Sequence, residues 1–323
     1  MLTETTRTGA APVTAAIDAL GAAKKSSRRR GRAATRKRSR VLTYVGLVFA
    51  SCVAVFPLLF MVFSSFKEDH QIFADLGSFK AFLPTGHLSL DNYSGVFERV
   101  PAVRFITNSL IVTVAIVLLG LIVNSMIGFA ISRMRWRGKN IVLSLVLATL
   151  MVPFETIAVP LVYWVAKLPS LQWVVDGFLV KQGMLNTYQV QILPFVANAL
   201  SIFLFAQHFG DIPKEIDEAA RVDGASWWVI YSRIIVPLSG PTFATVAIIT
   251  MLPAWNSYLW PLMVIQEESM RPASVGMQYF FQLNPVWGQI MAYGTLITLP
   301  VLIIFVLFQR SFVASLAGTA VKG

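Results

Sequence analysis

Six stretches of this chain are long and apolar enough to cross a bilayer as helices, which leaves few other folds open: residues 41–64, 106–131, 141–166, 187–208, 238–264 and 289–311. A span takes about 20 apolar residues, because within hydrocarbon every backbone N–H and C=O must be satisfied inside the protein. The 323 residues are 56% hydrophobic and only 13% charged, with mean hydropathy +0.66, whereas about a quarter of a soluble domain is charged. The expectation is an all-α membrane protein of six transmembrane helices. Pro57, Pro153, Pro160, Pro194, Pro253, Pro261 and Pro300 fall inside these stretches, and kinks are expected there, since neighbouring helices can satisfy the freed carbonyls.

The charge is concentrated rather than spread. Of a net +11, ten Lys or Arg lie between Lys24 and Arg40. Residues 1–40 lack apolar periodicity and read as a disordered tail. Beside a membrane span such a run holds anionic headgroups, so membrane lipids rather than nucleic acid are its expected partner. With this tail cytoplasmic, the inside segments carry 20 of the 27 Lys and Arg and the outside segments seven. That bias, densest at Arg133, Arg135, Arg137 and Lys139, puts both termini and residues 211–237 in the cytoplasm. No cleavable signal peptide is expected, because the first apolar run begins near Val41 and is too long for one. The sole cysteine, Cys52, allows no intramolecular disulfide and reads as a small buried apolar residue. His70, His87 and His208 are scattered, and no metal site or catalytic group is expected.

The expected organisation is a tail (1–40), a first span with an extracytoplasmic loop (41–104), a transmembrane core (105–312) and a short cytoplasmic tail (313–323), with no second soluble domain and no internal repeat. Residues 65–104 are too polar to span and read as a small extracytoplasmic cap. Residues 167–186, with Trp173 and Asp176, read as a short helix lying in the membrane interface.

One polar segment interrupts the apolar pattern. Residues 211–237 (DIPKEIDEAARVDGASWWVIYSRIIVP) carry five acidic and three basic side chains and cannot lie in hydrocarbon. Asp211, as N-cap or N-cap neighbour, and Pro213, as a first-turn proline, are expected to open a short helix. Ile212, Ile216, Ala219 and Ala220 share one face, with Lys214, Asp217, Glu218 and Arg221 largely on the other. Gly224 suits a left-handed stop, Ser226 can cap a second helix, and Pro237 is expected to end it. The result is helix–Gly–helix, roughly perpendicular to the spans. Such a unit is either an ordered connector that keeps charges wet or a docking surface for a soluble partner.

Glu218-Ala219-Ala220, three residues, Gly224, nine residues, then Ile234-Ile235-Val236-Pro237 resembles the EAA signature (E-A-A-x3-G-x9-I-x-L-P) of inner-membrane permease subunits of ABC importers, with Val236 in place of Leu. Further segments are similar to the carbohydrate branch, the maltose-type second permease. They include Ser65-Phe66-Lys67, Asp91-Asn92-Tyr93, Asn108 to Val112, Met151-Val152-Pro153, Trp255-Asn256, Leu259-Trp260-Pro261-Leu262 and Ala317 to Gly323. The resemblance covers roughly residues 41–323; the basic tail and a long 168–182 segment depart from it.

The resemblance implies an ABC transporter type-1 permease fold in a bacterial inner membrane, importing a sugar or a related polyol or glycerol-phosphate-like solute. It implies two ATP-binding subunits, a second homologous permease and an extracytoplasmic solute-binding protein as partners. Glu218, Ala219, Ala220, Asp223, Gly224 and Pro237 would form the ATPase-coupling loop, with Ala320, Val321, Lys322 and Gly323 reaching toward the ATPase dimer. No G-x4-G-K-[ST] phosphate loop occurs in the chain, so ATP and Mg are expected on the partner and no cofactor on this chain.

Glu155 is the one acidic residue well inside an expected span. It either lines the solute path or makes a helix–helix hydrogen bond that orients the Pro153–Pro160 segment. Trp255, Asn256 and Tyr258 combine aromatic faces with an amide, which suits carbohydrate but equally suits interface anchoring. The rival readings are a stand-alone secondary carrier or channel, which would place more ionisable residues in the bilayer, and a structural membrane anchor.

Overall fold

The computed structural model describes residues 42–174, 177–282 and 284–320. The basic tail, Asp176 and the terminal Val321, Lys322 and Gly323 lie outside the described residues. The chain divides into two units, Met1–Phe60 and Met61–Gly323. The described part of the first is helical throughout, as the bulk of α1 (Leu42–Ser64), unbroken at Pro57. Cys52 is exposed on this helix rather than buried. A thiol is at home against acyl chains as well as in a core, so its apolar setting did not require burial.

The second unit begins with short elements: α2 (Asp69–Asp75), a 3-10 turn (Phe79–Phe82) and α3 (Asp91–Arg99). They are tied together around Lys67, whose Nζ donates to Asp75 Oδ2 at 2.9 Å and to the Lys80 carbonyl at 2.7 Å. The longest described uninterrupted span, α4 (Ala102–Arg133), then packs against α7 (Tyr188–Val196), α8 (Ala199–Asp211) and α12 (Gly240–Trp255). Gly128 permits a close approach of α4 to α8. A Cβ there would stand 2.6 Å from Phe205 Cβ and 2.9 Å from the Ala206 nitrogen, so any side chain would drive α4 and α8 apart.

Three helices are long and apolar enough to span: α1, α4 and the start of α15 (Trp287–Ala320). Three more candidates are bent pairs, which raises the total to as many as six. Stretch 141–166 is not one helix. α5 (Lys139–Ala148) with its 3-10 extension meets α6 (Phe154–Val165) at 102°. The residue before a proline is pushed out of the α region; here Val152 is extended (φ −89°, ψ 113°) and Pro153 starts α6 as its N-cap.

Stretch 187–208 bends by 42° between α7 and α8. A neighbour satisfies the opened backbone there. Asn124 Nδ2 donates to the Val196 carbonyl and Asn124 Oδ1 accepts from the Asn198 N–H, both at 2.9 Å. Helices pass through Pro160, Pro253 and Pro300 without a break.

Residues 167–186 are not an interfacial helix, and the chain is mostly rather than wholly helical. β1 (Pro169–Val174) and β2 (Gly177–Gln182) form an antiparallel hairpin in register from Pro169↔Gln182 to Val174↔Gly177. Aromatic and β-branched residues on either side of an Asp176-Gly177 turn signal favour strands over a helix. Gln189 of α7 anchors the hairpin by accepting from the Leu171 N–H at 3.0 Å.

Candidate functional site

The polar 211–237 segment folds into a helical elbow seated on the end of α4. Its first arm, α9 (Lys214–Val222), starts after Pro213, which is its N-cap and offers no capping side chain. Asp211 is the last residue of α8 and does not cap α9. The stop is at Gly224 as expected, with φ +82°. Gly224 N–H donates to the Arg221 carbonyl at 3.0 Å and Ala225 N–H to the Ala220 carbonyl at 2.9 Å. That pair of bonds is a Schellman motif, which needs a left-handed residue where only glycine is unstrained.

The second arm comprises α10 (Trp227–Val229), a π-helical turn (Ile230–Ile235) and α11 (Val236–Leu238). The Ser226 hydroxyl caps it, accepting from the Val229 N–H. Pro237 does not end this arm. The arm runs on to Leu238 and meets α12 at 80° across Ser239. Pro237 lacks the N–H that the Arg233 carbonyl would accept in an α-helix, and the wider π turn falls over those residues.

The inward side of the elbow is aromatic. Phe129 of α4 stacks edge-on against Trp227 at 6.2 Å and lies 5.3 Å from Tyr231, within a cluster that includes Phe205, Phe209, Ile230 and Ile235. Tyr231 Oη and Ser125 Oγ share a buried hydrogen bond of 2.7 Å. The two faces of α9 differ from expectation in one respect. Ala220 packs inward, but Asp217 is buried beside it and Ala219 is exposed. The reason is Arg133, the last residue of α4. Its Nη2 donates to the Ile212 carbonyl at 2.7 Å and its Nη1 lies 3.1 Å from Asp217 Oδ2. This cation turns the inward face of α9 toward its carboxylate.

Burial pushes the Asp217 carboxyl above its usual range, with Arg133 pulling it back and Glu218 adding to the rise. Outward, Glu218, Ala219, Asp223 and Gly224 are exposed, as is Pro237, and Val222 is 88% exposed. A concavity of about 400 Å³ beside them is lined by residues including Arg133, Arg135, Lys139, Lys214 and Glu218.

A second cavity, of about 410 Å³, lies among α4, α6, α7 and α12. Ser109, Thr149, Gln191, Asn198, Thr250 and Ser257 put polar groups on a wall that is otherwise apolar and carries no ionisable side chain. Glu155, Trp255, Asn256 and Tyr258 do not line it. Glu155 is exposed on the first turn of α6 and Trp255 is buried at the end of α12. Asn256 Nδ2 donates to the Leu252 carbonyl at 2.9 Å, and the Tyr258 hydroxyl bonds Gln278. The structure therefore does not gather these four into one wall. Of the terminal residues singled out, Ala320 ends α15.

Reading the sequence missed Arg133 and Asp217 as partners. Arg133 stood in the cationic cluster used for orientation, and Asp217 was assigned to the wet face. The available signal was that Asp217 adjoins Ile216 and stands three residues before Ala220, at the edge of the apolar face of a nine-residue helix.

Comparison with known proteins gives one answer. Residues 116–318 match the family described as binding-protein-dependent transport system inner membrane component. The chain is 34% identical over 295 residues to an arabinooligosaccharides transport system permease protein of Halalkalibacterium halodurans, covering 89% of this chain and 99% of that one. It is 30% identical to a lactose transport system permease protein of Rhizobium radiobacter, covering 86% and 95%. An sn-glycerol-3-phosphate transport system permease protein of Agrobacterium fabrum is 31% identical, covering 87% and 97%. In fold, the chain resembles a chain of a bacterial ABC transporter involved in import of the acidic polysaccharide alginate, with TM-score 0.69 at 20% identity over 84% of this chain and 95% of that one. By sequence, this chain belongs to the family of binding-protein-dependent transport system inner membrane components.

Proposed function

We propose that the chain is a permease subunit of a bacterial ABC importer, forming half of a path for a sugar or related polyol or glycerol-phosphate-like solute. α9 and the Gly224 turn are the contact through which a separate ATPase drives it. The observation that carries this reading is the outward face of α9: Glu218, Ala219, Val222 and Gly224 stand exposed on a helix whose other face is fixed to the membrane bundle. Small side chains let another backbone approach closely, and an exposed carboxylate can pair with a partner's cation.

Two ATP-binding subunits, a second permease and an extracytoplasmic solute-binding protein complete the assembly, with ATP and Mg held by the ATPase. The termini and the elbow are cytoplasmic, and the three continuous helices with the three bent pairs make six spans. Residues 1–40 lie against anionic lipid and residues 313–323 reach toward the ATPase. Glu155, Asn256 and Tyr258, which are exposed, face the part of the solute path that the second permease closes, and the buried Trp255 backs that wall. Because the 410 Å³ cavity presents hydroxyl and amide groups and no charge, a neutral sugar or polyol is favoured over a phosphate-bearing solute, whose charge would go uncompensated at this wall.

The assembled complex in liposomes tests this with radiolabelled lactose, maltose, arabinooligosaccharides and sn-glycerol 3-phosphate, with and without ATP. Uptake of a neutral sugar should require ATP, and Glu218→Lys should lower it about tenfold or more. ATP-independent uptake by this chain alone would make it a secondary carrier.

A further inference from the structure

α9 meets α4 in two chemically different ways. One is the aromatic cluster around Phe129, Trp227 and Tyr231, with Ala220 against it. Apolar contact of this kind is non-directional: it transmits a push but lets surfaces slide under a pull or a twist. The other is Arg133, which holds the elbow at two points, the Ile212 carbonyl in the link from α8 and Asp217 Oδ2 on α9 itself. Its side chain is 1% exposed and that of Asp217 is 9% exposed. Separating them would strand two charges away from water, which is strongly disfavoured.

The pair also has spare capacity. Arg133 Nε and Nη1 and Asp217 Oδ1 are buried with no hydrogen-bond partner, so Nη1 and Asp217 Oδ2 meet at 3.1 Å as an ion pair rather than a hydrogen bond. A guanidinium has five donors and a carboxylate two acceptor oxygens. The pair can therefore turn from its present contact toward a two-bond arrangement as α9 tilts, without coming apart.

What Arg133 holds at one end, α4 carries to the cavity. Eight residues back along the helix, Ser125 bonds Tyr231, and Asn124 bridges Val196 and Asn198 at the break between α7 and α8. Asn198 lines the cavity, and so do Ser109, Val112 and Ile116 of α4 itself. One rigid helix thus connects the grip on α9 to the bent wall of the solute cavity.

We infer that Arg133 and Asp217 are a latch that ties the elbow to α4, Arg133 being the positioning residue through which a pull on α9 reaches the cavity. The latch presupposes that α9 meets the ATPase, as proposed above. It stays closed throughout the transport cycle.

The test uses the assembled, membrane-reconstituted complex with ATP as the only ligand, in a Cys52→Ser background. A fluorophore at Thr250→Cys reports movement of the cavity wall, and ATP hydrolysis is measured in parallel. Arg133→Glu and Asp217→Arg should each cut the ATP-induced fluorescence change per ATP hydrolysed about tenfold, and the exchanged pair should recover it to within about threefold. A merely structural role would lower both readouts together and leave their ratio unchanged, which would overturn the latch. So would an exchanged pair that assembles but does no better than the single variants.

Should the reversed variants fail to assemble, spin labels at Arg135→Cys and Glu215→Cys test the native pair. Their separation should stay constant within about 2 Å between nucleotide-free and ATP-bound complexes, and a change of more than about 5 Å would overturn the latch. Glu218→Lys separates the two levels. If it leaves the fluorescence change per ATP intact, the coupling role of α9 falls; if it abolishes that change while Arg133→Glu does not, only the latch falls.

Discussion

Lys67–Asp75 and Arg133–Asp217 both pair a buried cation with a carboxylate, the first in the short elements before α4 and the second at its last residue, yet they are built on opposite terms. Lys67 is 1% exposed, and its ammonium has the Asp75 carboxylate and the Lys80 carbonyl to donate to. Its hydrogen bond and charge hold the Asp75 carboxyl below its usual range. Arg133 makes one hydrogen bond and one ion-pair contact, leaves Nε without a partner, and cannot keep burial from raising the Asp217 carboxyl. A satisfied pair fixes a shape; an under-satisfied one holds two elements together while leaving them room to turn. On this reading the segment before α4 is a static cap and the elbow a working joint.

Stability should separate the two most sharply. Lys67→Met strips a well-bonded cation from a buried site, leaves Asp75 and the Lys80 carbonyl without their donor, and should lower the unfolding temperature more than any change at the elbow pair. Replacing both members of the other pair, Arg133→Met with Asp217→Leu, should change stability by less than about 1 kcal/mol, because apolar side chains of similar volume commonly match a buried ion pair. Thermal unfolding of the purified complex measures both. A double replacement that costs more than Lys67→Met would mean that the elbow pair is the structural one, and the contrast would be reversed.

A smaller effect should appear on titration. A raised carboxyl pKa means that the folded chain binds the proton more tightly than the unfolded one. Asp217 therefore favours the fold at low pH, and that contribution is lost as pH rises from the ordinary value of 3.8 through its own titration. Asp75 has the opposite sign: its contribution is present above 3.8 and lost as pH falls through its depressed titration. Difference infrared spectra of the carboxyl bands, assigned with Asp217→Asn and Asp75→Asn, should show Asp217 taking its proton first on acidification. The reverse order would remove the electrostatic basis of the comparison.

Much of this chain was legible before its structure, for identifiable reasons. Long apolar runs have few physical alternatives, and a Gly placed where α9 must stop can be read from local chemistry alone. What failed to read depended on partners distant in sequence. Asp217 is inside rather than outside because Arg133 arrives from α4. Stretch 141–166 looked like one span because its composition is uniform, but proline stereochemistry at Val152-Pro153 and the geometry on either side break it at 102°. The 169–182 hairpin was hidden because short apolar runs fit an interfacial helix as well as strands, and only cross-strand pairing distinguishes them. The 410 Å³ cavity had no signature either, because its wall is set by which helix faces converge, and it includes Gln191 and Thr250, which carried no signal of their own.

The central claim is that force generated by nucleotide in another protein enters through the exposed side of α9. Photo-cross-linking in the assembled complex tests it most directly, with a benzophenone maleimide attached to single cysteines in a Cys52→Ser background at Val222, which is 88% exposed on α9, and at Phe79, which is 87% exposed before α3. Val222→Cys should capture the ATP-binding subunit in a yield that changes when ATP is added, and Phe79→Cys should not capture it. Capture of the ATP-binding subunit at Phe79 and none at Val222 would contradict the account.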